Sequence, residues 1–469
     1  MEPVLTVAEM RSVDASAQRV EPITALIARA GTAVAVEALA MLGPAGAYGR
    51  RVSVVAGPGN NGNDGRVAAG RLGRRGARVT LVEATDALSA IRGADLVIDA
   101  AFGTGYRGSY DAPDTGGAPV LAVDIPTGVD AGTGVACDGA VTAARTVTFG
   151  ALKPGMLLND GPTRCGQVTM RRIGLPVEHV AATIHLVGDE DVISQLHERD
   201  RDGHKWKTAV MVVAGSPGMY GAAGYVAAGA GRSGAGMVRL GVPGAEGATL
   251  PAGAAVSRAL EAEGFDAEVL DEIDRFRALV VGPGLGTAPA TADAVRRLVC
   301  AAPVPTVVDA DGLTALGDAA RAAEVIGTRN GAAAVVLTPH EGEFARLNGA
   351  AVGVDRIGDV RALAVRTGAI VLLKGPTTVV AAPDGRVLLA AAGSPRLATA
   401  GSGDVLSGII GAFLARGVDP LVAAALGAHV HGRAASLGRP EGLLAGDLPD
   451  LVADVLSAAA VERSQSSRG

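Results

Sequence analysis

Apolar residues in this chain come in short runs, each closed by Gly, Asn, Asp or Pro and followed by a helical stripe. That rhythm predicts strands alternating with helices, and so parallel α/β sheets. In the first half, strands are predicted at 52–56, 79–82, 96–98, 120–123 and 146–149. In the second they are predicted at 210–214, 279–281, 306–308, 334–337 and 370–373. The runs 378–381 and 387–390 flank Pro383-Asp384-Gly385 and predict a hairpin. Thr6-Val7-Ala8-Glu9 has capping-box spacing, which opens a helix running to about Gln18. Another helix is expected over 405–417, where Val405, Leu406, Ile409, Ile410, Phe413 and Leu414 form one stripe and Gly417 supplies the stop. Residues 188–207 are rich in charge and have no period, so a linker is placed there. At 469 residues the chain is too long for one ordinary core. The expected domains are 1–200 and 201–469.

Charge and composition exclude more than they choose. A net charge of -6 with no Lys/Arg run argues against a nucleic-acid surface. Cys137, Cys165 and Cys300 are far apart and lack metal-type spacing, which favours a reducing cytoplasm. The start, Met1-Glu2-Pro3-Val4, has neither a basic nor an apolar signal region, so no signal peptide is expected. Residues 208–231 carry no charge and are long enough to cross a bilayer. Gly215-Ser216-Pro217-Gly218 reads as a loop in their middle, so no membrane span is expected.

The chemistry begins at Ala400-Gly401-Ser402-Gly403-Asp404, which runs into the helix over 405–417. Unpaired N–H groups at a helix start bind phosphate, and two glycines let it approach. Asp404 is repelled by such an anion unless it takes a proton from a hydroxyl reacting with it. Capping of a buried helix by Ser402 and Asp404 is the alternative reading. In the first half, Gly57-Pro58-Gly59-Asn60-Asn61-Gly62-Asn63-Asp64-Gly65 joins a strand to a helix, and Asp99 and Asp124 close two further strands. Ligands of open parallel sheets sit outside the carboxyl ends of strands, so Asn60, Asn61, Asp99 and Asp124 are expected to converge on one crevice. Asn and Asp oxygens with a threonine hydroxyl suit a hard cation such as an alkali metal.

These segments, with Ile98-Asp99-Ala100-Ala101-Phe102-Gly103-Thr104-Gly105, Val123-Asp124-Ile125-Pro126-Thr127-Gly128 and Gly150-Ala151-Leu152-Lys153-Pro154-Gly155, resemble the NAD(P)H-hydrate epimerase family. The resemblance covers about the first 175 residues and implies a Rossmann-like three-layer α/β/α fold. It implies that Asn60, Asn61, Gly62, Asn63, Asp64, Gly103, Thr104, Gly105, Tyr106, Arg107, Gly108, Ser109 and Asp124 contact a hydrated nicotinamide nucleotide. It also implies a potassium ion held by Asn61, Asp99 and Thr127. The reaction implied is inversion at the hydrated ring carbon through a ring iminium, with Asp124 handling the proton and Asp64 as a weaker candidate. Asn63 stands where the family usually has glycine, and Thr127 where it has serine; Asn63 would narrow the phosphate loop.

In the second half, Gly282-Pro283-Gly284-Leu285-Gly286, Asp309-Ala310-Asp311-Gly312, Pro339-His340-Glu341-Gly342-Glu343 and Lys374-Gly375-Pro376-Thr377-Thr378 each follow a strand. Lys374, Thr377 and Thr378 suit nucleotide phosphates, and Asp309, Asp311 and Glu343 suit Mg²⁺ held through water. With His204-Lys205, Gly215-Ser216 and Met219-Tyr220-Gly221-Ala222, these loops resemble the NAD(P)H-hydrate dehydratase family of ribokinase-like proteins, from about Asp200 to Val461. The resemblance implies that Ala222, Gly286, His340 and Asp404 touch the hydrate, while Lys374, Gly375, Pro376, Thr377, Thr378 and Gly403 hold the adenine nucleotide. Asp404 would deprotonate the hydroxyl that takes the terminal phosphoryl group of ADP. Together the two halves imply a repair enzyme that epimerises NADHX and NADPHX and dehydrates one epimer. It would be cytoplasmic and homo-oligomeric, with K⁺, Mg²⁺ and ADP and no nucleic-acid or membrane partner. The competing expectation is a ribokinase-like kinase that releases a stable phosphoester, with a non-catalytic first half.

Overall fold

The computed structural model describes residues 1–86, 89–106, 108–196, 201–251, 253, 255–329 and 333–466. The chain divides into two compact units, Pro3–Thr183 and Ile184–Gly469, with Met1–Glu2 grouped with the latter.

The first unit follows β1 (Glu2–Val4) with α1 (Val7–Gln18), α2 (Ile23–Leu42), β2 (Arg51–Ala56), α3 (Asn60–Arg74), β3 (Arg78–Glu83), β4 (Leu96–Ala100), β5 (Val120–Val123), β6 (Arg145–Phe149), α4 (Gly161–Cys165) and β7 (Gln167–Arg171). The capping box at α1 is present: the Glu9 N–H donates to Thr6 Oγ1 and the Thr6 N–H donates to Glu9 Oε2. The sheet runs β3-β2-β4-β5-β6-β7, all parallel. Its central strands β2, β4, β5 and β6 are largely buried and apolar on both faces, while the edge strands β3 and β7 are partly exposed. On one face Val52, Val54, Ile98, Leu121 and Val123 pack under Ala30, Val34 and Ala38 of α2 and Ala68 and Leu72 of α3. On the other, Val55, Val97 and Val120 lie under Ile91, Val141, Phe102 and Tyr110. The chain leaves β2 for β3 on one side and returns to β4 on the other. The crevice beyond β2 and β4 is therefore the topological switch point, where open α/β sheets bind ligands.

The second unit comprises β8 (Ile184–Leu186), α5 (Asp189–Gln195), β9 (Ala209–Val213), α6 (Tyr220–Arg232), β10 (Met237–Pro243), β11 (Val256–Leu260), α7 (Phe265–Leu270), β12 (Ala278–Val281) and α8 (Pro289–Ala301). It continues through β13 (Thr306–Val308), α9 (Asp311–Leu316), α10 (Ala319–Gly327), β14 (Val335–Leu337), α11 (Glu341–Asn348), α12 (Arg356–Thr367), β15 (Ile370–Leu373), β16 (Thr378–Ala381), β17 (Val387–Ala390), α13 (Ser402–Ala415), α14 (Pro420–Leu437) and α15 (Leu448–Ser466). Strand order is β8-β17-β16-β15-β14-β13-β12-β9-β10-β11. The strands from β15 to β11 are parallel, and β16 pairs antiparallel with both β15 and β17. Its switch point lies between β12 and β9. Helix α13 is buried along its whole length after Asp404. It can be so because glycines bring it against α6: a Cβ on Gly408 would lie 2.1 Å from Val226 O, and one on Gly229 2.4 Å from Val405 O.

The charged segment expected to be a linker is partly folded. The Gly188 N–H donates to Asp191 to start α5, and Asp189 Oδ1 pairs with His429 Nε2 at 2.7 Å and Arg433 Nε at 3.1 Å. Its acidic residues serve a cap and ion pairs within the second unit. Among the described residues one helix, α2, is long and apolar enough to cross a membrane. It buries Leu26, Ala30, Val34, Ala38 and Leu42 in the first unit.

Candidate active sites

The first crevice is a cavity of about 520 Å³. The β2–α3 loop supplies Pro58, Gly59, Asn60, Asn61 and Asp64, and the segment after β4 supplies Phe102, Gly103, Thr104, Gly105 and Tyr106. Asp124 enters from the end of β5 and Lys153 from the loop after β6. The loop takes its shape from glycine. A Cβ on Gly57 would lie 1.7 Å from Ala101 O, and one on Gly62 would lie 1.9 Å from Gly57 O. Gly62, Asn63, Gly108 and Ser109 do not line the cavity. Arg107 lies outside the described residues.

Asp124 has a left-handed backbone with φ of 66°, a conformation that costs a non-glycine residue about 1 kcal/mol or more. What holds it is local. Its N–H donates to Val147 O at 2.7 Å. Its Oδ1 accepts from Lys153 Nζ at 2.6 Å and from Thr148 Oγ1 at 3.0 Å. Lys153 is 1% exposed and spends its other donors on Thr148 Oγ1 and Phe149 O. Asp64 is 7% exposed and accepts no hydrogen bond among the described residues. Burial, then the charges of Asp124 and Asp14, push its carboxyl up to about 8. Asp14, on α1, is itself raised by burial and then by Asp124, against the lowering effect of Lys153.

Asp99, 3% exposed, does not join Asn60, Asn61 and Asp124 in this crevice: it lines a separate, smaller cavity of about 180 Å³ with Val55, Val97, Tyr110 and Val141. Its Oδ1 accepts from Thr127 Oγ1 at 2.8 Å and its Oδ2 from the Thr127 N–H at 2.8 Å. Thr127 Oγ1 is also 3.2 Å from Phe102 O. Burial pushes the Asp99 carboxyl up, against the lowering effect of the Thr127 and Ala101 donors. Nearby, the buried Asn61 Nδ2 has no partner, and its amide lies against Gly103. The orphaned atom is an N–H donor and no cation ligand; the oxygens that a hard cation could use here are Asn61 Oδ1, Thr127 Oγ1 and Phe102 O, with both Asp99 oxygens already accepting from Thr127.

The second crevice is built on α13. Gly401 caps it in the left-handed conformation, φ 92°, and Tyr225 packs against that glycine. Lys374, at the end of β15, lies over the helix start: a Cβ on Gly403 would be 3.3 Å from Lys374 Nζ. Its ammonium donates to Asp309 Oδ1 at 2.6 Å, and Ser407 Oγ donates to Asp309 Oδ2 at 2.7 Å. Burial opposes the Lys374 charge, but Asp309, then Glu343 and Asp404, outweigh it and raise its pKa. Asp404 accepts no hydrogen bond among the described residues. Burial and Asp309 push it up to about 7, with Lys374 opposing and Asp311 and Glu343 adding to the rise. His431 of α14 is 5% exposed and pushed down to about 4 by burial and then by Lys374, so it is neutral near pH 7.

Both Asp309 oxygens thus accept within the protein, one from Lys374 and one from Ser407. Asp311 and Glu343 keep one less-engaged oxygen each, with Asp311 Oδ2 accepting from the Gly286 N–H and Glu343 Oε2 from the His340 N–H. Among the described residues no three His, Cys, Asp or Glu side chains form a metal cluster. His340 is a helix cap whose Nδ1 accepts from the Gly342 and Glu343 N–H groups, while Nε2 lies 3.6 Å from Glu343 Oε1. Ala222 lies against Gly284, beside Ser216 Oγ, which donates to Gly284 O at 2.8 Å. Thr377 and Thr378 are buried at the turn into β16, so only part of the Lys374–Thr378 loop is open to a ligand.

Residues 210–457 match the family described as NAD(P)H-hydrate dehydratase, and residues 23–89 and 82–155 match the one described as YjeF-related protein N-terminus. A bifunctional NAD(P)H-hydrate repair enzyme, Nnr, from Moorella thermoacetica is 38% identical over 393 residues, spanning 77% of this chain and 73% of that one. A protein of the same name from Gloeobacter violaceus is 37% identical over 490 residues, spanning 92% and 94%. The chain belongs to the bifunctional NAD(P)H-hydrate repair enzyme family. Among solved structures, the ADP/ATP-dependent NAD(P)H-hydrate dehydratase of Bacillus subtilis, co-crystallised with ATP/Mg²⁺, is 27% identical with a TM-score of 0.46, covering 60% of this chain and all of that one.

Two residues of this repair-enzyme chain escaped the sequence reading. Asp14 reaches the first crevice from α1, which precedes the matched segment. Arg356 packs against Gly375 at the nucleotide loop with its Nη2 buried and unpartnered, while Nη1 donates to Glu341 at 2.7 Å. Neither stands in a glycine-rich loop or at the carboxyl end of a strand, the two sequence patterns that mark a ligand crevice.

Proposed function

We propose that the first unit interconverts the R and S hydrates of NADH and NADPH, and that the second dehydrates the S form at the expense of ADP, giving AMP and phosphate. The observation that carries this reading is the pair of carboxylates at the two switch points. Asp124 is gripped by Lys153 in one, and Asp404 stands free beside Lys374 in the other.

In the first unit the hydrate's ring enters the cavity with its hydroxylated carbon near Asp124. Leaving of the hydroxyl forms a ring iminium; water returning to the opposite face inverts the centre. Lys153 fixes the Asp124 carboxylate, so that a proton is held or released at Oδ2 while Oδ1 is occupied. Asn61, Asp99 and Thr127 would hold potassium, which would offset the buried Asp99 charge and tie the Phe102 segment to the start of α3.

In the second unit Asp404 takes the proton of the hydrate's hydroxyl, whose oxygen bonds to the terminal phosphorus of ADP while the bond to AMP breaks. Phosphate then leaves the ring carbon, and loss of the neighbouring ring proton restores the double bond. Lys374 and the N–H groups opening α13 stabilise the phosphoryl charge in flight. Magnesium would arrive on phosphate oxygens, with Asp311 and Glu343 as water-mediated partners. The free thiols Cys137, Cys165 and Cys300 suit a reducing cytoplasm.

The test supplies both hydrate epimers with ADP and follows recovery of reduced-nicotinamide absorbance. Complete recovery with release of AMP and phosphate is expected. A stable phosphoester with no recovered absorbance would identify a small-molecule kinase instead.

A further inference from the structure

Three carboxylates, Asp14, Asp64 and Asp124, line the first cavity with a single ammonium, Lys153. That ammonium is consumed: its donors go to Asp124, Thr148 and Phe149 O. Arg11, also on α1, lies only at the rim beside Gly105, and Arg66 of α3 turns away to Gly57 O and Glu83. Helix α2 contributes only apolar side chains, Ile23, Leu26, Ile27 and Ala30. Among the described residues, Asp64 therefore faces the cavity buried, with no donor, no cation and two acidic neighbours. A carboxyl in that setting keeps its proton until something in the cavity takes it. The substrate of the epimerase reading brings such an acceptor, the hydroxyl that must leave the ring.

We propose that Asp64 is the general acid of the epimerase, and that Asp14 and Asp124 act through it by holding its proton in place until substrate arrives. The proposal rests on the epimerase reading above. Asp64 gives its proton to the ring hydroxyl; the carbon–oxygen bond breaks with its electron pair on oxygen, and water forms. The ring nitrogen's lone pair closes the iminium. Water then adds to the opposite face, the nitrogen recovers its pair, and the proton released returns to the carboxylate pair Asp64 and Asp124. No proton or electron is consumed overall. The negative charge left on Asp64 when its proton departs lies beside the new ring cation, which is where it lowers the barrier. Asp14 is a positioning residue here, contributing charge and not proton transfer.

The test uses the full chain and each pure hydrate epimer, with epimerisation followed by NMR and dehydration by absorbance. Asp64→Asn is expected to lower kcat for epimerisation by about 100-fold or more, with KM changed much less, while dehydration of the S epimer by the same sample is unchanged. Asp64→Glu restores part of the loss. In the native chain epimerisation falls as pH rises past about 8, where Asp64 loses its proton. Asp14→Asn keeps the acid in place but removes a repulsion, so that limb moves to lower pH. The shift tests the same claim in an active variant, independently of any misfolding in Asp64→Asn. Epimerisation by Asp64→Asn within about threefold of the native rate, or a limb that Asp14→Asn does not move, overturns the proposal. Absence of epimerisation by the native chain is a separate result and strikes the epimerase reading itself.

Discussion

Lys374 Nζ and Asp309 Oδ1 are 2.6 Å apart at the floor of the second crevice, in a pair whose acid is 1% exposed. Ser407, itself fully buried, closes the other side of that carboxylate. The pair aims the ammonium at the start of α13, where Gly403 leaves no side chain in its way. Asp309→Asn is expected to raise KM for ADP by about tenfold or more and to lower Tm, since breaking a buried pair costs about 3–5 kcal/mol. Ser407→Ala acts in the same direction and less strongly, by about 1 kcal/mol. Nucleotide titration and thermal melts read both effects; an unchanged KM in Asp309→Asn would show that Lys374 is oriented by something else.

With Asp404 as the proposed base, the dehydratase step needs it ionised, and burial with the surrounding acids pushes its pKa up to about 7. Its rate is therefore expected to rise with pH through about 7 and to level above it. Asp404→Asn removes the base and abolishes recovery while ADP still binds. A pH profile flat between 6 and 8, measured on the S epimer to bypass the first unit, rejects Asp404 as the titrating group.

Asp124→Asn removes the carboxylate charge opposite Lys153 in the first unit, leaving an amide oxygen that can still accept but cannot take a proton, and touches nothing in the second. With a mixed-epimer substrate, absorbance recovery is expected to stop with the R form left over, on a time scale in which the native chain consumes both. Recovery that still runs to completion in this variant removes Asp124 from the epimerase.

Much of the fold was legible because the central strands of both sheets are buried on both faces, so strands such as Val120–Val123 and Ile370–Leu373 are unbroken apolar runs. Strands β7, β8, β10 and β11 escaped; polar residues break the apolar run in β7 (Gln167, Arg171) and β11 (Ser257, Arg258) at exposed or partly exposed positions on the sheet edges, and Arg239 breaks it in β10. Loop residues of the sites were legible where glycine marks a close approach, as at Gly57 and Gly403. The Asp309–Lys374 pair was illegible because a carboxylate at a strand end looks the same in sequence whether it faces a ligand or a lysine 65 residues away. Asp14 was illegible for a related reason: α1 reads as an ordinary capped helix, and only tertiary packing of Met10 and Val13 against Leu5 and Ala151 turns its acid into the crevice.

Gly62 offers a test of the β2–α3 loop that leaves every proposed chemical group in place. It sits in the first turn of α3, where its φ is ordinary, so alanine is not excluded by backbone conformation. Space excludes it instead: the new Cβ would lie 1.9 Å from Gly57 O, a backbone atom that cannot swing aside as a side chain would. Relief requires the loop to move outward, carrying Asn60, Asn61 and the start of the helix with it. Such overpacking typically costs about 1–3 kcal/mol. Gly62→Ala is therefore expected to lose most epimerisation and to lower the thermal stability of the first unit, while dehydration of the S epimer proceeds at the native rate. Gly59→Ala is the control, because a Cβ there meets nothing within 4 Å. Equal epimerase rates in the two variants would mean that the close packing of Gly62 on Gly57 does not shape the site.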